Sequence, residues 1–160
     1  MTITFDWIDF KKLKDTFSKD YVCIIKLHPF IKNRADYDFS NDEFYLDLTS
    51  EREINDLLFI TDVLITDYSS VIFDYALLDK PVVYFTYDLE LYENDRGLYY
   101  DFKDYVYGSV SKNSKELVKA IKDGKMMNDK RKVFMKKFMD ACDGHSTEKT
   151  FKLVFEDKNK

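Results

Sequence analysis

The sequence predicts an α/β fold: a Rossmann-like parallel sheet with helices on both faces. Short apolar runs, Tyr21 to Leu27, Asp62 to Thr66 and Pro81 to Phe85, alternate with helical patterns along the chain. These runs are continuously apolar and do not alternate with polar residues, which is the pattern of strands covered on two faces. Gly and Pro number 4 and 2 in 160 residues, which favours regular elements joined by short connections.

The elements follow in order. Trp7 to Lys19 is an amphipathic helix, with Ile8, Leu13 and Phe17 near helical spacing and lysines between them. Tyr21 to Leu27 (YVCIIKL) is short and β-branched, hence a buried strand, and His28-Pro29 stops it. Arg34 to Asp42 is polar and reads as a loop, and Phe44 to Leu48 as a weak second strand. Ser50 is the candidate N-cap of a helix from Glu51 to Phe59, with Glu51 and Glu53 at the positive end of its dipole. Asp62 to Thr66 is the next strand, Ser69 to Leu78 an apolar helix, and Pro81 to Phe85 another clear strand. Leu89 to Tyr105 is an aromatic, acidic connection that turns at Arg96-Gly97. Ser114 to Lys122, Asp129 to Asp140 and Thr147 to Glu156 are closing helices. No internal repeat or low-complexity linker divides the series, so residues 1–160 are expected to form one domain.

The bulk properties narrow the function classes. Hydrophobic residues at 45% supply one core and argue against disorder. A net charge of -5 disfavours wholesale nucleic-acid binding, which draws its affinity from Lys and Arg clusters. The basic run Lys130, Arg131, Lys132, Lys136 and Lys137 reads first as a solvated helix face, and second as a contact for anionic lipid or polymer. Cys23 and Cys142 fit neither a disulfide framework nor metal-ligand spacing; Cys23 reads as a buried small hydrophobe, and a reducing cytosol suits both. The first residues carry no basic, apolar leader pattern, and no window reaches the roughly 18 apolar residues of a membrane span. No Gly-rich phosphate loop, HExxH, CxxC or GxSxG is present, so those motifs support no reading here.

Ligands in parallel α/β sheets bind at the carboxyl ends of strands, so the residues that follow each strand matter most. Lys26 and His28 fall on the same side of the first strand's end. An imidazole there can donate to a phosphate or move a proton near neutral pH, and it can equally serve only to cap the strand. Thr66-Asp67-Tyr68-Ser69-Ser70 joins a strand directly to a helix, whose free N–H groups and two hydroxyls suit a phosphate or diphosphate. Plain N-capping by Asp67 or Ser69 accounts for one such residue better than for three in a row. Asp74 lies one turn beyond Ser70 among apolar neighbours, where a carboxylate needs a partner: a ligand hydroxyl, a buried cation or a loop amide. Arg96 stands in the loop after the Pro81 to Phe85 strand, either as a contact for an anionic acceptor or as a surface arginine. His145 reads as part of a turn and N-cap, and Asp101, Asp104 and Asp123 as solvated.

Taken together, KLHPF (Lys26 to Phe30), DVLITDYSSVIFDYALLDKPVVYFTYD (Asp62 to Asp88) and Arg96-Gly97 resemble the CDP-glycerol glycerophosphotransferase family in order and rough spacing. The Asp-Gly before the last helix also fits, and the resemblance extends from about Tyr21 onward. It implies a GT-B-type transferase with the active site between two lobes, this chain matching the C-terminal, nucleotide-donor lobe. It implies that Lys26, Leu27 and His28 line the donor site, that Ser69 and Ser70 hold the diphosphate, and that Asp74 contacts the donor. It further implies that His28 is needed for activity. The family's upstream lobe, with a second histidine in a Trp-His-Gly-type motif, has no counterpart here, since His28 and His145 are the only histidines. The sequence is therefore expected to be one lobe of a longer arrangement, incomplete for catalysis alone.

The implied reaction is attack by an acceptor hydroxyl on the β-phosphorus of CDP-glycerol, releasing CMP, with no metal and no further cofactor required. The implied partners are CDP-glycerol and a poly(glycerol phosphate) or lipid-linked acceptor. The expected location is the cytoplasm or the inner face of the cell membrane, with peripheral membrane contact and homo-oligomers both compatible and nucleic acid not expected. The competing readings are a transferase for CDP-ribitol or a nucleotide sugar, a non-catalytic nucleotide-binding α/β module, and a membrane-surface domain led by the basic run.

Overall fold

A computed structural model of the chain describes residues 7–28, 39, 42–51 and 53–156. The expected loop at Arg34 to Asp42 lies largely outside the described residues, as do Pro29 and Phe30. The chain begins with α1 (Phe10–Phe17), where the Asp9 carboxylate accepts from the Lys12 amide and caps the helix. Helix α1 buries Leu13 and Phe17. Strands β1 (Cys23–Ile25) and β2 (Tyr45–Asp47) pair in parallel, Cys23 opposite Tyr45. Asp42 sets the entry to β2: it accepts from the amides of Phe44 and Tyr45, and Lys14 binds its carboxylate at 2.6 Å. The lysine and these amides hold the Asp42 carboxyl below the usual carboxylate range.

Helix α2 (Ile54–Ile60) starts later than Ser50 predicts. A turn intervenes, in which the Thr49 amide donates to Asp47 and the Glu51 amide to the Leu48 carbonyl. The N-cap position is Glu53, whose side chain makes no capping bond. Strand β3 (Leu64–Thr66), α3 (Val71–Ala76) and β4 (Val82–Phe85) follow. The stretch read as one connection holds two helices, α4 (Leu89–Asp95) and α5 (Phe102–Tyr105). Next come β5 (Ser109–Ser111), α6 (Ser114–Asp123), α7 (Asn128–Phe138) and α8 (Ser146–Phe151), which continues as a π-helix over Lys152–Glu156.

Strands β3, β4 and β5 form a second parallel sheet with β4 at its centre. Alternation along β4 divides the core in two. Val83 and Phe85 pack with residues of α1, β2 and α6 (Leu13, Tyr45, Leu117). Val82 and Tyr84 point the other way, to Leu58 of α2, Tyr75 of α3 and Phe134 of α7. All four residues of β4 are buried, as a strand covered on both faces requires. The other strands depart from that expectation: Leu46 of β2 and Ile65 of β3 are about two-fifths exposed, 40% and 38%. Cys23 is partly buried against the first cluster and not fully enclosed.

Strand β5 escaped the sequence reading because Ser-Val-Ser carries no apolar signal. Its fit depends on Gly108: a Cβ there would lie 2.1 Å from the Val82 carbonyl oxygen and 2.4 Å from Val82 Cγ1. Only a residue without a side chain lets the chain pass β4 this closely. Ser111 is fully buried but satisfied, its hydroxyl donating to the Tyr84 carbonyl at 3.1 Å. The hydroxyl of Tyr107 donates to the Ile72 carbonyl at 2.6 Å, that of Tyr84 to Tyr105 at 2.9 Å, and that of Tyr75 to Thr61 at 3.1 Å.

The basic run is not a uniformly solvated face. Arg131 is mostly buried: its Nε donates to the Ala76 carbonyl at 2.7 Å, and its guanidinium pairs with Asp79 at 2.8 Å. Ala76 is the last residue of α3, so α7 supplies the cation that closes the end of that helix. Lys137 pairs with Asp104 at 3.0 Å and lies over the Tyr100 ring, which leaves Lys130, Lys132 and Lys136 exposed. Among the described residues no helix is long and apolar enough to cross a membrane.

Candidate functional site

The sequence-derived candidates lie on turns at the carboxyl ends of β1 and β3 and along the helices that follow. After β1, the Lys26 ammonium donates to the backbone carbonyl of Glu51, and the Leu27 amide donates to Thr49 Oγ1 at 3.1 Å. These bonds tie the end of β1 to the turn that leads into α2. His28 comes next and is exposed.

After β3, the Asp67 carboxylate accepts from the Ser69 amide at 3.2 Å, and Ser69 Oγ accepts from the Val71 amide at 3.3 Å. This folds Asp67 to Val71 into a tight turn in front of α3. Asp67, Ser69 and Ser70 are all exposed, so protein side chains do not fill the corner. Ser70 occupies the N-cap position of α3 without a side-chain capping bond. Asp74 is also exposed, which corrects the argument from its apolar neighbours: α3 turns Val71, Ile72, Tyr75 and Ala76 inward and leaves Asp74 in solvent, so burial does not demand a partner for it.

Arg96 stands at the C-cap of α4 and is exposed. The amides of Arg96 and Gly97 both donate to the Tyr92 carbonyl, and Gly97 at φ 73° makes the turn. Arg96 shares a shallow recess with Asp88, Leu91, Tyr92 and Asp95. Two of these lead back to the turn after β3. The Tyr68 hydroxyl donates to Asp88 Oδ1 at 2.9 Å, and the Tyr68 ring stacks on Tyr92 with centroids 3.9 Å apart. Burial, then the bond to Asp88, pushes the Tyr68 phenol up, so it is a neutral donor at any physiological pH.

Tyr68, Asp88 and Tyr92 were not singled out from sequence. Tyr68 lies 20 positions before Asp88 and 24 before Tyr92, and no spacing rule joins it to them. Thr86 carries no sequence signal either. It is 1% exposed, and its hydroxyl has no hydrogen-bond partner among the described residues. His145 behaves as expected of a turn residue: its amide donates to Asp143, and its ring faces Glu148 at 3.5 Å. A groove of about 500 Å³ is lined by Lys14, Ser18, Tyr21, Val22, Glu43 and Phe44. It adjoins the amino ends of β1 and β2, the side of a parallel sheet that does not ordinarily bind ligands.

Residues 2–156 match the sequence profile described as CDP-Glycerol:Poly(glycerophosphate) glycerophosphotransferase. The chain is 40% identical over 152 residues to the teichoic acid poly(ribitol-phosphate) polymerase of Bacillus spizizenii, covering 94% of this chain and 25% of that protein. It is 32% identical over 152 residues to the teichoic acid glycerol-phosphate transferase of Staphylococcus aureus, covering 92% of this chain and 38% of the relative. A structure of a variant of the wall teichoic acid polymerase TagF, soaked with CDPG, superposes with a TM-score of 0.79 at 29% identity. That match covers 97% of this chain and 39% of the other. The chain thus spans between a quarter and two-fifths of the length of these proteins.

Proposed function

Because this chain belongs to the CDP-glycerol:poly(glycerophosphate) glycerophosphotransferase family, we propose that it is the nucleotide-donor lobe of a transferase that moves glycerol phosphate from CDP-glycerol to a teichoic-acid-type polymer. The observation that carries this reading is the exposure of His28 after β1 and of the Ser69-Ser70 turn after β3, both at the carboxyl ends of parallel strands.

In the reaction, a hydroxyl of a poly(glycerol phosphate) or lipid-linked acceptor attacks the β-phosphorus. The new P–O bond forms as the bond to the bridging oxygen breaks. That oxygen leaves with CMP, and the acceptor proton passes to a base. Ser69 and Ser70 donate to the diphosphate from their hydroxyls, and Ser70 also from its backbone amide, while the Ser69 amide stays on Asp67. The Lys26 ammonium has three protons and gives one to the Glu51 carbonyl, so others remain for a phosphate oxygen. His28 donates from its ring to the diphosphate, and Leu27 lines the same strand end. Asp74 accepts from a donor hydroxyl, and Arg96 meets the anionic acceptor. Positioning and charge stabilisation of this kind carry most of the catalysis of phosphoryl transfer. Exposed Lys130, Lys132 and Lys136 on α7 attract an anionic membrane surface or polymer.

Calorimetric titration with CDP-glycerol tests the reading. His28→Ala and Ser70→Ala are expected to weaken binding about tenfold each, the worth of one hydrogen bond to a charged group, with unchanged circular dichroism. Equal affinity in the wild type and both variants would remove these residues from the site. CDP-ribitol is the second donor to titrate, because the ribitol-phosphate polymerase is the more similar of the two relatives, 40% against 32%. The tighter of the two donors identifies the polyol.

A further inference from the structure

Asp88 occupies the N-cap position of α4, where an aspartate ordinarily accepts from the free amides of the first helical turn. It makes no such bond. Its carboxylate accepts instead from the Tyr68 hydroxyl, across from the turn that follows β3. The Tyr68 ring, in turn, lies flat on Tyr92, one turn further along α4, and meets the edge of Phe102 of α5 with centroids 6.0 Å apart. All four side chains are half-buried. The local bonds of Asp67 and Ser69 shape the turn internally, whereas Tyr68 fastens it to a second element.

We infer that Tyr68, held by Asp88 and Tyr92, is a positioning residue that locks the Ser69-Ser70 turn to helix α4 and so sets the serines and Arg96 in one fixed geometry. The inference rests on the donor-lobe reading above and deepens it. The serines sit one and two residues after Tyr68, so a rotation of its backbone displaces both. Arg96 sits one turn after Tyr92, whose carbonyl accepts from the Arg96 amide at 2.9 Å. A helix is stiff over one turn, so the same latch fixes both groups.

Titration of CDP-glycerol into the wild-type chain and into Tyr68→Phe, Asp88→Ala, Asp88→Asn and the Tyr68→Phe/Asp88→Ala pair tests this. Phenylalanine keeps the stack on Tyr92 and loses only the hydroxyl. Asparagine keeps an acceptor oxygen. Misplaced binding groups lose affinity steeply, so Tyr68→Phe and Asp88→Ala are each expected to weaken CDP-glycerol about tenfold. The double variant is expected to be no weaker than either single one, and Asp88→Asn to bind within about twofold of the wild type. Additive losses, or Tyr68→Phe binding like the wild type, would overturn the latch while leaving the donor site intact. A wild-type chain that takes up no CDP-glycerol would overturn the donor-lobe reading, and the latch with it. Melting curves accompany each titration: a loss of affinity that only tracks a loss of stability counts against positioning, because the ligand contacts would then have failed with the fold.

Discussion

Replacing Arg131 by Met separates a structural arginine from a solvated basic patch. Met keeps most of the aliphatic stem and removes the guanidinium. The bond from Nε to the Ala76 carbonyl is short, 2.7 Å, and largely out of water, since the Arg131 side chain is 19% exposed. A hydrogen bond from a charged donor is worth about 1.5–3 kcal/mol. The pair with Asp79 adds less than about 1 kcal/mol, because that carboxylate is 63% exposed. The loss is therefore about 2–3 kcal/mol, on the order of 5–10 °C in melting temperature for a domain of this length. Thermal unfolding followed by circular dichroism measures it, with Asp79→Asn as the control that removes only the exposed pair and shifts by less than about 1 kcal/mol. The Arg131→Met difference should persist in 0.5 M salt, on the order of where exposed pairs are screened. A variant that melts with the wild type, or a difference that vanishes with salt, would refute the assignment and return Arg131 to the surface run.

Two further outcomes follow from the packing. Gly108→Ala is expected to lower the urea midpoint by the equivalent of about 3 kcal/mol, the upper end of overpacking costs, because the new methyl has only the Val82 carbonyl and side chain to enter; a midpoint near the wild type would mean that β5 can move away from β4. Alkaline pH is expected to unfold the chain: burial pushes the Cys23 thiol up to about 11 and raises the phenols of Tyr45, Tyr75, Tyr84 and Tyr107. The fold holds these protons more tightly than the unfolded chain, so their contribution is complete below roughly pH 8.5 and is lost as pH climbs through the folded values. Tyrosinate absorbance should then rise together with the loss of circular dichroism, and titration of all tyrosines near pH 10 with structure intact would contradict it.

The legible parts of the fold were those decided locally. Pro81 to Phe85 is apolar throughout because β4 is central and has a helix layer on each face, and that covering shows in the residue types themselves. Strand β5 is a strand only because β4 pairs with it, and the feature that admits it, the missing side chain at Gly108, acts on a residue 26 positions away. Ser50 looked like a cap because capping chemistry is local, yet the bonds of Asp47 and Leu48 spend that stretch on a turn and the helix begins afterwards. Asp74 misled for the opposite reason: composition gives a helix's average polarity, while the orientation of a six-residue helix decides which single position faces water.

The candidate site divides along the same line. The groups proposed to face the ligand are adjacent in sequence, Lys26 to His28 and Ser69 with Ser70, because a strand end or a helix start presents neighbouring residues to one place. The groups that hold them still are scattered: Glu51 for Lys26, Thr49 for Leu27, Asp88 and Tyr92 for Tyr68, and Arg131 for the far end of α3. Each of these contacts spans at least 20 positions, so none leaves a motif behind. A resemblance built on motifs thus points to the groups proposed to touch the ligand, and the residues that hold them in place enter only with the fold. Those residues govern whether a site is merely present or held within the fraction of an ångström that phosphoryl transfer requires.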